Sequence, residues 1–276
     1  MVTLSSYNGF LFIHSLSTAF SAISVIVNVV TIIRYIVKPN SRQPRMILLA
    51  IHCNFVFSFV AFIHSAYMVL LLDDKIRRRS DLIFWTGALS YSMNSSIEIC
   101  NLFVALDRVF VMCKPVRYCQ SYQYRLHLVA VAFIFLPIVT FTTIFALDRD
   151  SNPSVVMAFV DFFKKGVIYI LYWFDVILSI ANVVATVVFI KEFKVFLAHV
   201  RATKSLVVIG NQKVNRMVLY QIIVEFIVLI IPIMATSTAN MMQDVSWPRK
   251  YGPYPLTCFT LYTLICSFLF FFVNKH

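Results

Sequence analysis

Long apolar runs separated by short polar clusters dominate the chain. They fall at Gly9 to Ile33, Met46 to Leu72, Leu82 to Met112, Leu126 to Leu147, Gly166 to Ile190, Met217 to Thr238 and Leu256 to Val273. Each approaches or exceeds the roughly 20 residues that carry a helix across a hydrocarbon core. The pattern predicts an all-α integral membrane protein, a seven-transmembrane helix bundle forming a single domain over residues 1–276. The third run is long enough to tilt or to project beyond the bilayer, so Asp107 and Arg108 in its final turn need not lie in lipid. The first run is too long for a signal core and has no charged residue before it, so it is read as the first span. With eight residues before that run and three after the last, no soluble domain is expected at either end. The helices and short loops are expected to do the work.

Composition agrees with a membrane setting. Hydrophobic residues make up 60% of the chain, aromatic residues 16% and charged residues 13%, with 27 Phe and 5 Gly, outside the range of an ordinary soluble domain. The six cysteines, Cys53, Cys100, Cys113, Cys119, Cys258 and Cys266, lie in or just after the runs. Their placement implies no outer disulfide, and no His/Cys spacing implies a metal.

Charge sets the orientation. With the N-terminus outside and the C-terminus cytoplasmic, the inner segments carry 15 Lys and Arg against nine outside, the bias the positive-inside rule favours. Arg77, Arg78 and Arg79 run against that bias, in a short segment assigned outside. The longest inner loop, Lys191 to Arg216, holds six basic residues and one acid, Glu192. Gly210 and Asn211 in that loop predict a break between two helices that extend into the cytoplasm.

One short stretch combines charge with a span end. In LDRVFVMCKPVRY, Leu106 to Tyr118, Asp107 and Arg108 close the third run on the side assigned to the cytoplasm, Pro115 follows eight residues after Asp107, and Tyr118 three beyond that. Read on its own, the pair is an interfacial arginine snorkelling to headgroups beside an acid that neutralises it. The spacing resembles the rhodopsin-like G-protein-coupled receptors, whose third helix ends in Asp-Arg-Tyr and whose second inner loop continues to a Pro and a Tyr at these offsets. Val109 stands where that family usually has an aromatic. The resemblance implies that Asp107, Arg108, Pro115 and Tyr118 form a coupling switch, in which the acid holds the arginine until helices part and expose it to a G protein.

Other marks of those receptors are weakened. Asn28 stands where an inward-facing Asn is common. Ile83, 25 residues before Arg108, replaces the cysteine usually bonded to the second outer loop. Pro232 is placed to kink the sixth span, with Ile230 where an aromatic is usual. Gln212, 20 residues before Pro232, replaces the acid that often locks the arginine. The last span has no Asn-Pro-x-x-Tyr. A retained Asp-Arg with its Pro and Tyr among eroded marks looks like the large nematode serpentine chemoreceptor families, with class BC the nearest in wording.

Three acids fall inside runs: Glu98, Asp175 and Glu225. An ionisable group at membrane depth normally faces the bundle interior and is functional by default, although interhelical bonding is the plainer explanation. Asp175 lies nearest the outer face. Tyr91 to Ser96, YSMNSS, gives the third run a polar face above Glu98, so Asn94 joins the three acids as a candidate ligand contact. His14, His52 and His64 read as scattered, singly bonded helix histidines.

The combined reading is a chemosensory receptor of the plasma membrane of sensory cells. It binds a small external molecule among its third, fifth and sixth helices. Its inner face, basic at Arg42, Arg45, Lys114, Arg117, Lys204 and Lys213, engages a heterotrimeric G protein and anionic membrane lipids. No cofactor, metal, nucleic acid or catalytic residue is implied. Two alternatives stand beside it: a small transporter using Glu98, Asp175 and Glu225 as an ion path, and an inverted seven-span odorant-gated channel.

Overall fold

The computed structural model describes residues 4–37, 45–113, 122–150, 159–163, 165–203, 206–243 and 253–273. The apolar runs become α1 (Leu4–Val37), α2 (Arg45–Leu72), α3 (Ser80–Cys113), α4 (Gln123–Leu147), α5 (Lys165–Thr203), α6 (Leu206–Glu225), α7 (Ile231–Gln243) and α8 (Tyr254–Val273). A π turn, Phe226–Ile230, joins α6 to α7 into one irregular rod, and a 3-10 turn, Phe159–Phe162, stands between α4 and α5. The break expected at Gly210 and Asn211 falls earlier, since α5 ends at Thr203 and α6 starts at Leu206 with Gly210 inside it. An isolated helical glycine costs only about 1 kcal/mol relative to alanine, and the helix continues through it.

Six helical stretches, in α1, α2, α4, α5, the α6–α7 rod and α8, are long and apolar enough to cross a membrane. α3 falls short because its middle is polar. It compensates by position: from Gly87 to Val109 none of its residues is exposed, and it packs on α2, α4 and α5 and touches α6 and α8. The surrounding helices turn Phe12, Ile26, Phe135, Val139, Val187 and Ile227 outward. That belt is an aggregation hazard in water and an ordinary surface against lipid tails.

α1, α2 and α8 are tied by hydroxyls. Ser24 Oγ lies 2.8 Å from Ser58 Oγ and 3.0 Å from Ser267 Oγ, and accepts from Asn28 Nδ2 at 3.3 Å. Ser58 donates to Thr263 at 3.4 Å, and Ser17 lies 2.6 Å from Thr257. All but the half-buried Thr257 are buried, and none carries a charge.

At the other end of α3, a ring cluster closes the bundle. Phe159 stacks on Tyr91 with centroids 5.1 Å apart and meets Phe145 at 5.2 Å and Phe163 at 4.7 Å. Phe84 adds contacts to Phe159, Phe162 and Phe163 at 6.1, 5.8 and 5.8 Å. Gly87 makes room for this: a Cβ there would lie 2.6 Å from the Phe159 ring and 2.9 Å from its Cβ. Arg149 sets its guanidinium 4.5 Å over the Phe84 ring and pairs with Asp81, and the Asp150 N–H donates to the Phe162 carbonyl at 2.8 Å. Ile83, where a loop-bonding cysteine is usual in the resembled receptors, is buried in the same core. None of the five described cysteines, Cys53, Cys100, Cys113, Cys258 and Cys266, is in a disulfide, and buried aromatic rings pack the turn against α3.

Candidate functional site

Residues three or four apart share a helix face. On α3 that spacing aligns Tyr91, Asn94, Glu98, Asn101 and Arg108 into one inward stripe, all of them buried. α5 answers with Asp175, Ser179 and Asn182, and α6 with Asn215, Gln221 and Glu225, also buried.

The stripe is knit by a few bonds. Ser95 Oγ donates to Asp175 Oδ1 at 2.6 Å, and Asn182 Nδ2 donates to the Glu98 carbonyl oxygen at 3.1 Å. Gln221 Nε2 donates to Asn101 Oδ1 at 2.9 Å and to the Tyr262 phenol oxygen at 3.2 Å, joining α6, α3 and α8. Ser96 donates to the Ile134 carbonyl at 2.8 Å.

Beside those bonds stand buried polar atoms without a hydrogen bond: both Glu98 carboxyl oxygens, Asn94 Oδ1, Ser179 Oγ, the Tyr91 and Tyr254 hydroxyls, Glu225 Oε1, and both side-chain atoms of Asn215. Ser179 faces Glu98, and Asn101 faces Glu225, without closing these bonds. Asp175 and Glu225 are near enough to act on Glu98 electrostatically. Native interiors leave few polar groups unpaired, and each exception calls for an explanation.

Part of this stripe borders a cavity. Tyr91 and Asn94 from α3, Leu171 and Asp175 from α5, Pro232, Ile233 and Thr236 from α7, and Tyr254, Pro255, Cys258 and Phe259 from α8 enclose about 20 Å³. That is room for roughly one water. Of the four candidate contacts named from the sequence, Asn94 and Asp175 line the cavity; Glu98 and Glu225 do not. The α8 wall was not foreseen. Tyr254, an aromatic with a polar tip at the outer start of the last apolar run, was the one signal for it.

At the C-terminal end of α3, Arg108 Nε donates to Asp107 Oδ2 at 2.8 Å, Nη2 donates to the same oxygen, and both residues are buried. α3 and α6 run antiparallel and meet at Asn101 and Gln221. Arg108 is seven residues below that contact on α3 and Asn215 six before it on α6, roughly 10 and 9 Å along their axes. Asn215 therefore stands level with Arg108. Pro115 and Tyr118 lie outside the described residues, as do Arg42, Lys114, Arg117 and Lys204. Pro232 lies two residues after the end of the π turn, so the rod's irregularity falls within the turn that precedes the proline.

The histidines are less scattered than expected. His14 and His64 meet edge to face with centroids 6.1 Å apart, and His64 also meets Phe159 at 6.5 Å. The His64 ring lies 3.0 Å from Thr86 Oγ1 through Nδ1. His52 alone fits the single-residue reading, its Nδ1 lying 2.7 Å from the Leu48 carbonyl.

The profile of the family described as serpentine type 7TM GPCR chemoreceptor Srbc matches residues 8–147, just over half of the chain. The chain belongs to this serpentine chemoreceptor family. No curated protein matches it. The matched region runs from α1 to the end of α4 and includes the α3 stripe and the Asp107–Arg108 pair, and the Srbc family is one of multi-pass membrane chemoreceptors. The cavity's α5, α7 and α8 walls lie beyond the matched residues.

Proposed function

We propose that the chain is a seven-span receptor, with α3 as the enclosed third span, the N-terminus outside and the C-terminus cytoplasmic. It binds a small external molecule at the cavity and signals to a heterotrimeric G protein from the plasma membrane of sensory cells. The observation that carries the reading is the buried Asp107–Arg108 pair at the inner end of the central helix, in a chain of a chemoreceptor family. An interfacial arginine that served only to anchor the span would reach for headgroups; this one is folded back on its neighbour.

The mechanism is a population shift. A ligand that widens the cavity moves α7 through Pro232, Ile233 and Thr236. The π turn and the missing N–H of Pro232 let the rod bend there. α6 then swings at its inner end, exchanging the Gln221 bonds to Asn101 and Tyr262 and clearing the space beside Arg108. Asn215, whose side-chain amide makes no hydrogen bond, lies at about the same height on α6. Pro115, Tyr118 and the basic inner residues complete the G-protein contact, with anionic lipid beside it.

The test pairs topology with coupling. A tag before Met1 is expected to stain on intact cells and one after His276 only after permeabilisation, and G-protein recruitment is expected on stimulation. Inverse staining would favour the channel; correct staining with ion flux and no recruitment would favour the transporter.

A further inference from the structure

The chemistry of the cavity restricts what it takes. Its polar lining is Tyr91, Asn94, Asp175, Thr236, Tyr254 and Cys258, with no lysine, arginine or histidine. Asn94 Oδ1, an acceptor only, and the Tyr91 and Tyr254 hydroxyls are without a bond. Asn94 is 2% exposed and Tyr91 4%. Asp175 holds a bond from Ser95 that fixes its carboxyl at the cavity wall. Immediately below, both Glu98 oxygens are also unpartnered. The site thus offers acceptors and aromatic faces and brings no positive charge of its own.

We infer that this cavity receives a primary ammonium group, carried on a small apolar body. Three N–H donors match Asp175, Asn94 Oδ1 and a tyrosine oxygen, and Tyr91, Tyr254 and Phe259 supply ring faces to a cation. The volume of about 20 Å³ admits the ammonium head alone, so the body enters only as α7 is pushed away at Pro232, the movement the proposed receptor mechanism requires. An anion is excluded, because it meets a carboxyl at the wall, another below, and no lining cation.

The inference rests on the cavity being the receptor's ligand site, and its test is made independent of signalling. The full chain, purified in detergent, is titrated with ammonium, methyl-, propyl- and pentylammonium chloride at constant ionic strength, with pentanol, pentanoate and tetramethylammonium as controls, following the unfolding midpoint. Primary ammonium compounds are expected to raise the midpoint saturably, and the controls to leave it within a degree or so. Asp175→Asn, which still accepts the Ser95 bond, should raise the half-saturating concentration about 30-fold or more, and Tyr254→Phe by about 3- to 10-fold. Stabilisation by pentanoate, equal stabilisation by pentanol, no stabilisation by any amine, or unchanged amine saturation in both variants would overturn the assignment. Amine binding without G-protein recruitment would leave it standing and sink the coupling mechanism. Recruitment by other compounds with no amine binding would do the reverse.

Discussion

The two sides of the bundle bury polar groups in opposite ways. Between α1, α2 and α8, Ser17, Ser24, Ser58, Thr257, Thr263 and Ser267 satisfy one another without a charge. Between α3, α5 and α6, carboxyls and amides lie equally deep, yet Glu98, Asn94, Asn215 and Glu225 keep atoms unpaired. Burial alone does not separate them: the hydroxyl set is bonded within itself, with Asn28 Oδ1 left over beside it, whereas on the other side the carboxyls themselves are left open. A closed hydroxyl knot loses free energy if the helices shift, so it holds them in register. An open set loses little when its members move, and it gains when a ligand or a rearranged helix supplies partners. The first side is suited to stay and the second to change.

The strongest way to break this contrast is at the buried charged pair of α3. Arg108→Ala is expected to abolish G-protein recruitment and, by taking the arginine away from a buried Asp107, to cost about 3–5 kcal/mol. Surface expression and the unfolding midpoint in detergent should fall together. Asp107→Asn, which leaves the buried arginine without its acid, should raise basal recruitment and also lower the midpoint.

Next in size is the ring cluster. Gly87→Ala forces Phe159 off α3, an overpacking expected to cost about 1–3 kcal/mol and to expose the outer turn to limited proteolysis. Mild reduction of intact cells should leave the same turn protected. Sensitivity to the reductant with tolerance of Gly87→Ala would mean that a covalent tie, not the rings, holds it.

Smaller effects separate the two sides directly. Ser24→Ala, at the centre of the knot, should lower the midpoint by the equivalent of about 1 kcal/mol, with its dose response unchanged. Asn215→Leu and Glu98→Gln should leave stability unchanged or raise it slightly, because neither removes a made bond, while shifting the response to stimulation. If the open-side variants destabilised more than Ser24→Ala, the distinction between holding and moving parts would fail.

Much of the helix layout was legible in the run lengths, because a hydrocarbon slab fixes how long an apolar run must be. α8, expected over Leu256 to Val273, forms as Tyr254–Val273. What resisted reading depends on contacts between distant segments. Nothing near Gly87 announces Phe159, more than 70 residues away, and single-helix periodicity did not reveal that His14 and His64 would touch. The α5–α6 break was misplaced because a glycine marks where a helix is weak, not where it must end: α6 runs through Gly210. The site was half visible. A buried acid advertises itself by residue type, so Asp175 stood out, whereas the cavity's α8 wall is built from Tyr, Pro, Cys and Phe, residues as common in lipid-facing helices as in pockets.

The polarity of α3 also bears on how the protein is made. On the seven-span frame, the third segment to leave the ribosome is the one least able to partition into lipid alone: Glu98, Asn94 and Asn101 disfavour it, and Arg77, Arg78 and Arg79 before it must reach the outer side. The partners that shelter its polar face, Asp175 and Asn182 on α5 and Gln221 on α6, are synthesised up to 120 residues later. Until they arrive, α3 is a client without a home in the bilayer, held by α2 or by the insertion machinery, and a nascent chain cut short after α4 has no shelter for it. Stable insertion in the membrane therefore depends on the second half of the chain rescuing the first.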